Sequence, residues 1–219
     1  MEFMLDTANL QELEQGIAYY PVDGITTNPS ILKAELPMDY FTHLKAIKAL
    51  CNGRTMHVQL GQMTCEGMLK EAETIWEQLG KDVYLKIPVT EEGVKAIKEI
   101  KRLGGLVTAT SIYYPIQGML AIHAGADYLA PYCNRMENND IDFVTAIEQL
   151  RDLIDRDGYD AKILAASFKN VKQVTAAITA GAHAVTVQPS LMKAILHSSL
   201  VMDAVETFGK AQAEVLASK

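Results

Sequence analysis

Eight short β-prone runs recur along the chain, at residues 3–6, 24–27, 56–60, 83–87, 106–110, 128–132, 163–167 and 184–187. Helical patterns lie between them, with apolar residues returning at helical spacing over 66–79, 91–103, 141–156 and 171–180. Gly80, Gly104-Gly105, Gly125, Gly158 and Gly181 punctuate the helix ends. Strict alternation of this kind predicts parallel strands joined by crossover helices, and eight units is the count of a (β/α)8 TIM barrel. The 219 residues are compact for a fold that typically takes ~250. A doubly wound open sheet is the alternative. It would have to hold eight parallel strands, and no glycine-rich dinucleotide fingerprint follows the first run. No linker or low-complexity tract divides the chain, so the expectation is one α/β barrel domain over 1–219. Residues 202–216 are expected to add an amphipathic C-terminal helix that packs on the barrel or on a neighbouring subunit.

With 49% hydrophobic residues the chain can bury one large core. A formal net charge of −7 and the lack of a basic stripe argue against nucleic acid as a partner. No apolar run is long enough to cross a bilayer, and the N-terminus lacks a signal-peptide pattern, so no membrane is expected and the location is expected to be cytoplasmic. Cys51, Cys65 and Cys133 are odd in number, widely spaced and in no metal-ligand pattern, which reads as reduced thiols and no metal site.

Lys86 sits within Val83-Tyr84-Leu85-Lys86-Ile87-Pro88, an apolar run closed by proline. A charged group is costly in such a strand unless paired or neutralised. A lysine desolvated in a strand-lined pocket can present the neutral amine that attacks a carbonyl, which is how a Schiff-base lysine is made. The bland reading is a strand-end lysine that snorkels to water. Strand parity weighs against it, because alternate residues share a face. Parity puts Tyr84 and Lys86, His57 and Gln59, Thr108 and Thr110, Ala130 and Tyr132, and Ala165 and Ser167 inside. Asp6 closes the first strand and Asn28 follows the second. A ring of polar groups at the C-terminal ends of the strands is where such barrels build active sites. His57 reads as a satisfied core histidine, Cys133 as an outward apolar filler, Trp76 as packing, and Asn9 as a helix cap.

The segments Leu5-Asp6-Thr7-Ala8, Gly24-Ile25-Thr26-Thr27-Asn28-Pro29-Ser30, Leu85-Lys86-Ile87-Pro88, Ala130-Pro131-Tyr132-Cys133-Asn134-Arg135 and Leu164-Ala165-Ala166-Ser167-Phe168-Lys169 resemble the signatures of the small transaldolase family. That family comprises short transaldolases and fructose-6-phosphate aldolases. The resemblance runs from the first strand to the eighth. It implies a (β/α)8 barrel, a Schiff base between Lys86 and a dihydroxyacetone unit, and no metal or organic cofactor. By motif, Asp6 and Asn28 resemble the groups that hold the dihydroxyacetone hydroxyls and assist proton transfer, while Arg135 and Ser167 resemble the phosphate grip. The resemblance also implies pentamers paired into homodecamers, with the C-terminal helix reaching over a neighbour.

Two positions separate the subfamilies. Transaldolases of this family usually present glutamate on the third strand and phenylalanine on the sixth; here they are Gln59 and Tyr132, a pairing similar to fructose-6-phosphate aldolase. The implied arrangement gathers Gln59, Thr110 and the Tyr132 hydroxyl around one water, where a phenol can protonate the enamine. The expected function is cleavage or formation of fructose 6-phosphate from dihydroxyacetone and glyceraldehyde 3-phosphate. Transaldolase transfer to erythrose 4-phosphate and a non-catalytic sugar-phosphate sensor are the alternatives. Met136-Glu137-Asn138-Asn139-Asp140 departs from the family pattern by being short and lacking its usual glycines, which leaves the roles of Asn134 and Lys169 open.

Overall fold

The computed structural model describes residues 1–218, so Lys219 of the expected 1–219 span lies outside the described residues. Eight strands form: β1 (Glu2–Asp6), β2 (Gly24–Thr26), β3 (Thr55–Gln59), β4 (Tyr84–Pro88), β5 (Leu106–Ile112), β6 (Tyr128–Pro131), β7 (Lys162–Ala165) and β8 (Ala184–Val187). Each pairs in parallel with the next, and β8 pairs back on β1, so the sheet is a closed barrel. The helices are α1 (Leu10–Tyr19), α2 (Pro29–Ala34), α3 (Tyr40–Cys51), α4 (Cys65–Leu79), α5 (Glu91–Arg102), α6 (Pro115–His123), α7 (Cys133–Glu137), α8 (Phe143–Asp157), α9 (Val171–Thr179), α10 (Pro189–Leu196) and α11 (Ser199–Ala217). No helix among the described residues is long and apolar enough to cross a membrane.

Local signals start and stop these elements. Asn9, Asn28, Asp39, Thr64, Thr90, Asp142 and Asn170 each accept a backbone N–H in the first turn of the helix they open. Gly158 ends α8 at φ 66°, a left-handed conformation that costs glycine nothing. Gly93 has a packing role: a Cβ there would lie 1.9 Å from the Pro88 carbonyl oxygen. Its bare backbone lets α5 seat directly over the end of β4, the strand that carries Lys86.

The strands sort their side chains into two cores. Leu5, Ile25, Val58, Leu85, Val107, Leu129, Ile163 and Val185 face outward under the helices. Full burial of each such aliphatic is worth about 1.5–3 kcal/mol. Inside the barrel, Met4, Tyr84, Tyr128, Leu164 and Ala184 form a separate cluster toward the N-terminal ends of the strands. His57 stacks on Tyr84 at 4.6 Å between centroids and meets Tyr128 edge-on at 5.2 Å. Its ring nitrogens hydrogen-bond to Thr108 (2.8 Å) and Thr55 (3.2 Å). Burial, reinforced by the Lys86 charge, pushes the His57 pKa down to about 3, so it is a neutral, satisfied core histidine.

Two expectations need correction. Parity assigned Ala165 and Ser167 to the interior, but Leu164 is the inward residue of β7 and Ala165 packs under the helices. Four apolar residues in a row, Ile163 to Ala166, leave strand parity without a polar marker. Ser167 still reaches the mouth of the barrel because it lies past the strand, with φ at 63° rather than in extended geometry. The C-terminal helix is longer than 202–216 and does not pack on its own barrel. No residue of α11 is buried, and Leu200 and Phe208 are 85% and 73% exposed.

Candidate active site

A cleft of about 620 Å³ opens at the C-terminal ends of the strands, and all eight strands or the loops that follow them line it. They contribute Asp6, Asn28, Gln59, Lys86, Ser111, Tyr132, Ser167 and Thr186 in chain order, with Asn134, Arg135 and Lys169 on the rim. Thr110 lies just beneath, fully buried. The candidate catalytic and binding residues, Lys86, Asp6, Tyr132, Gln59, Thr110, Asn28, Arg135 and Ser167, therefore lie together in or directly beneath one cleft. Register explains the depth: Gln59 pairs with Lys86 across β3 and β4, and Asp6 pairs with Thr26 across β1 and β2.

The Thr26-Thr27-Asn28-Pro29 segment assigns one task to each residue. Pro29 holds Asn28 extended and opens α2, while Asn28 Oδ1 accepts from the Ser30 and Ile31 amides at 3.0 Å each. Capping uses only the oxygen, so the Asn28 amide nitrogen remains for a ligand in the cleft. The Thr27 carbonyl accepts a 2.8 Å hydrogen bond from Lys86 Nζ, and Thr26 donates to Asp6 at 2.7 Å. Lys86 itself is only 5% exposed, and no carboxylate lies within ion-pair distance of its amine among the described residues.

Asp6 forms the end of a hydroxyl chain. Thr26 commits its single proton to Asp6, so the 2.7 Å contact between Thr26 and Thr186 requires Thr186 to donate. Burial raises the Asp6 pKa, outweighing the downward pull of the Lys86 charge, the Thr26 hydrogen bond and the Lys169 charge. A carboxyl pushed upward in a cleft, with cations facing it, is suited to exchanging protons.

On the opposite wall, Thr110 Oγ1 donates to Tyr132 Oη at 2.9 Å. The phenol is thereby an acceptor in this bond and keeps its own proton for the cleft. Gln59 Oε1 is buried with no protein partner, an acceptor available to a group bound between Lys86 and Tyr132. At the rim, the Arg135 guanidinium lies 4.8 Å over the Tyr132 ring and pairs with no carboxylate among the described residues. Asn134 N–H donates to the Ser167 carbonyl at 2.9 Å, joining the two loops that carry these side chains. Positive φ at Ser111 (58°) and Ser167 (63°) is unusual for serine, and both residues line the cleft. Strain held at two such positions marks a site built for a ligand.

A family model described as Transaldolase/Fructose-6-phosphate aldolase matches residues 3–219. The chain belongs to this family. A curated relative from Streptococcus pneumoniae (strain ATCC 700669 / Spain 23F-1), named probable fructose-6-phosphate aldolase, is 47% identical over 209 residues, covering 95% of this chain and 94% of its own length. The transaldolase/fructose-6-phosphate aldolase family thus supplies the enzyme class, and the closed barrel agrees with it. Sequence reasoning missed Thr26 and Thr186 as the partners of Asp6, since 160 residues separate them and only register brings them together. It also missed Ser111 and Gln188 on the cleft wall.

Proposed function

We propose that the chain is a class I aldolase that interconverts fructose 6-phosphate with dihydroxyacetone and glyceraldehyde 3-phosphate, using Lys86 as the Schiff-base amine. The observation that carries the aldolase reading is the Tyr132 hydroxyl, held by Thr110 with its own proton free beside Gln59. The printed name of the pneumococcal relative points the same way.

In this reading Lys86 Nζ attacks the C2 ketone, and loss of water gives an iminium. Asp6, directly or through a water bound by Gln59, Thr110 and Tyr132, takes the proton of the C4 hydroxyl. The C3–C4 bond breaks, its electron pair flows into the iminium as an enamine, and the aldehyde leaves with its phosphate held by Arg135 and Ser167. Asn28 holds the hydroxyls of the three-carbon unit. Tyr132 protonates the enamine at C3 and is reprotonated from Asp6 through the same water, and hydrolysis of the resulting iminium frees dihydroxyacetone and the Lys86 amine. None of these steps uses a metal or an organic cofactor.

Product analysis with fructose 6-phosphate alone tests the reading. Free dihydroxyacetone without an acceptor sugar supports the aldolase; product only after erythrose 4-phosphate is added means the chain is a transaldolase.

The hydroxyl chain predicts a pH effect. A donor to a carboxylate stabilises the charged form, so Thr26→Val should raise the Asp6 pKa further. Because the ionised Asp6 is the base, the acid limb of kcat/KM should move to higher pH by about half to one unit. An unmoved profile would show that Thr26 does not tune Asp6.

We further propose a cytoplasmic homo-oligomer, a decamer of two pentamers, in which α11 lies on a neighbouring subunit. Val205, Phe208 and Val215 are exposed on α11 within a single chain, an apolar surface that a complete barrel does not require. Deleting residues 199–219 should yield smaller species by light scattering, and an undisturbed oligomer would contradict the assembly.

A further inference from the structure

We infer that Gln173 is a positioning residue that fixes the phosphate grip and so sets the preference for a phosphorylated aldehyde; this rests on the aldolase reading above. Gln173 is 3% exposed, lies in the first turn of α9 and does not line the cleft. Its side chain nevertheless joins both loops of the rim. Oε1 accepts the Lys169 N–H at 2.8 Å, while Nε2 donates to Asn134 Oδ1 at 3.2 Å and to the Glu137 carboxylate. Both amide protons and the amide oxygen are engaged, so the side chain has one orientation that satisfies it.

The contacts have a direct consequence for the anion site. Glu137 stands two residues after Arg135 on α7 and would be a natural partner for a guanidinium. Gln173 holds that carboxylate on the α9 side, and Glu137 does not line the cleft. Arg135 is thereby left for the substrate, and Asn134, which lines the cleft with Ser167, has its oxygen occupied and only its amide nitrogen left to offer a ligand. A phosphate grip needs donors of fixed geometry with no competing anion. Gln173 provides both without touching the ligand.

The test is synthesis from dihydroxyacetone with either glyceraldehyde 3-phosphate or unphosphorylated glyceraldehyde. Gln173→Leu should raise KM for the phosphorylated aldehyde about tenfold or more, with kcat within roughly threefold and both constants for glyceraldehyde nearly unchanged. Gln173→Glu keeps the acceptor for Lys169 but loses both donated bonds and adds a negative charge, so its KM should rise further. Adding Glu137→Gln to Gln173→Leu should recover part of the loss, since the freed side chain can no longer pair ionically with Arg135. Equal losses with both aldehydes, or no loss, would overturn the inference. Should the leucine variant fail to fold, the glutamate variant decides by the same comparison. Borohydride trapping of dihydroxyacetone on each protein separates the two readings. An unlabelled parent defeats the Schiff-base assignment, whereas a labelled parent whose variants lose both aldehydes equally defeats only the role of Gln173.

Discussion

Lys86→Met is expected to abolish turnover of fructose 6-phosphate while leaving the barrel intact. Methionine matches the unbranched stem of lysine and carries no amine, so no iminium can form and the C3–C4 bond has no electron sink. Loss of a covalent nucleophile costs about 10⁴–10⁶ in rate, which here means activity below detection. The fold should tolerate the change. Lys86 is 5% exposed, the one hydrogen bond of its amine among the described residues is to the Thr27 carbonyl, and β4 is held by Leu85 and Ile87, both fully buried on the outer face. Circular dichroism and thermal unfolding close to the parent, together with lost activity, are the expected pair of results. An active Lys86→Met protein would move the chemistry elsewhere in the cleft.

Tyr132→Phe carries the second large effect. The ring keeps its volume and its contacts, including Arg135 at 4.8 Å and Tyr113 at 6.0 Å, so packing should be conserved. The lost atom is the hydroxyl that accepts from Thr110 and retains a proton for the cleft. Cleavage of fructose 6-phosphate should fall by ~10²–10⁴, the range for removing a general acid–base group. The imine should still form, because Lys86 and Asp6 remain. Transfer to an added aldose should be relatively spared, since a longer-lived enamine has time to meet an acceptor. Steady-state assays of cleavage and transfer on the same preparation check this. Equal loss of both, or no loss, would remove Tyr132 from enamine protonation.

The barrel was legible because its strands are buried on both faces and their helices are not. Runs such as Val83 to Ile87 and Tyr128 to Tyr132 stand out between amphipathic stretches with capping and stop residues. The inward placement of Lys86, Gln59 and Tyr132 followed from parity, since each is a polar residue between apolar neighbours, and that of Thr110 from its sharing a face with Thr108 across Ala109. Parity failed on β7, where Ile163, Leu164, Ala165 and Ala166 offer no contrast and a left-handed Ser167 breaks the alternation. The Thr186–Thr26–Asp6 chain depends on which strands adjoin when the barrel closes, which a local pattern does not encode. Gln173 is hidden for a similar reason. It lies in the first turn of an amphipathic helix, and its three side-chain partners sit on two other segments.

Borohydride reduction in the presence of dihydroxyacetone, followed by proteolysis and mass spectrometry, tests the central claim most directly. One three-carbon unit should be found, on Lys86 and on no other lysine. The label should be absent from Lys86→Met and present in Tyr132→Phe. Attachment to another lysine, or no attachment to the parent protein, would contradict the Schiff-base account.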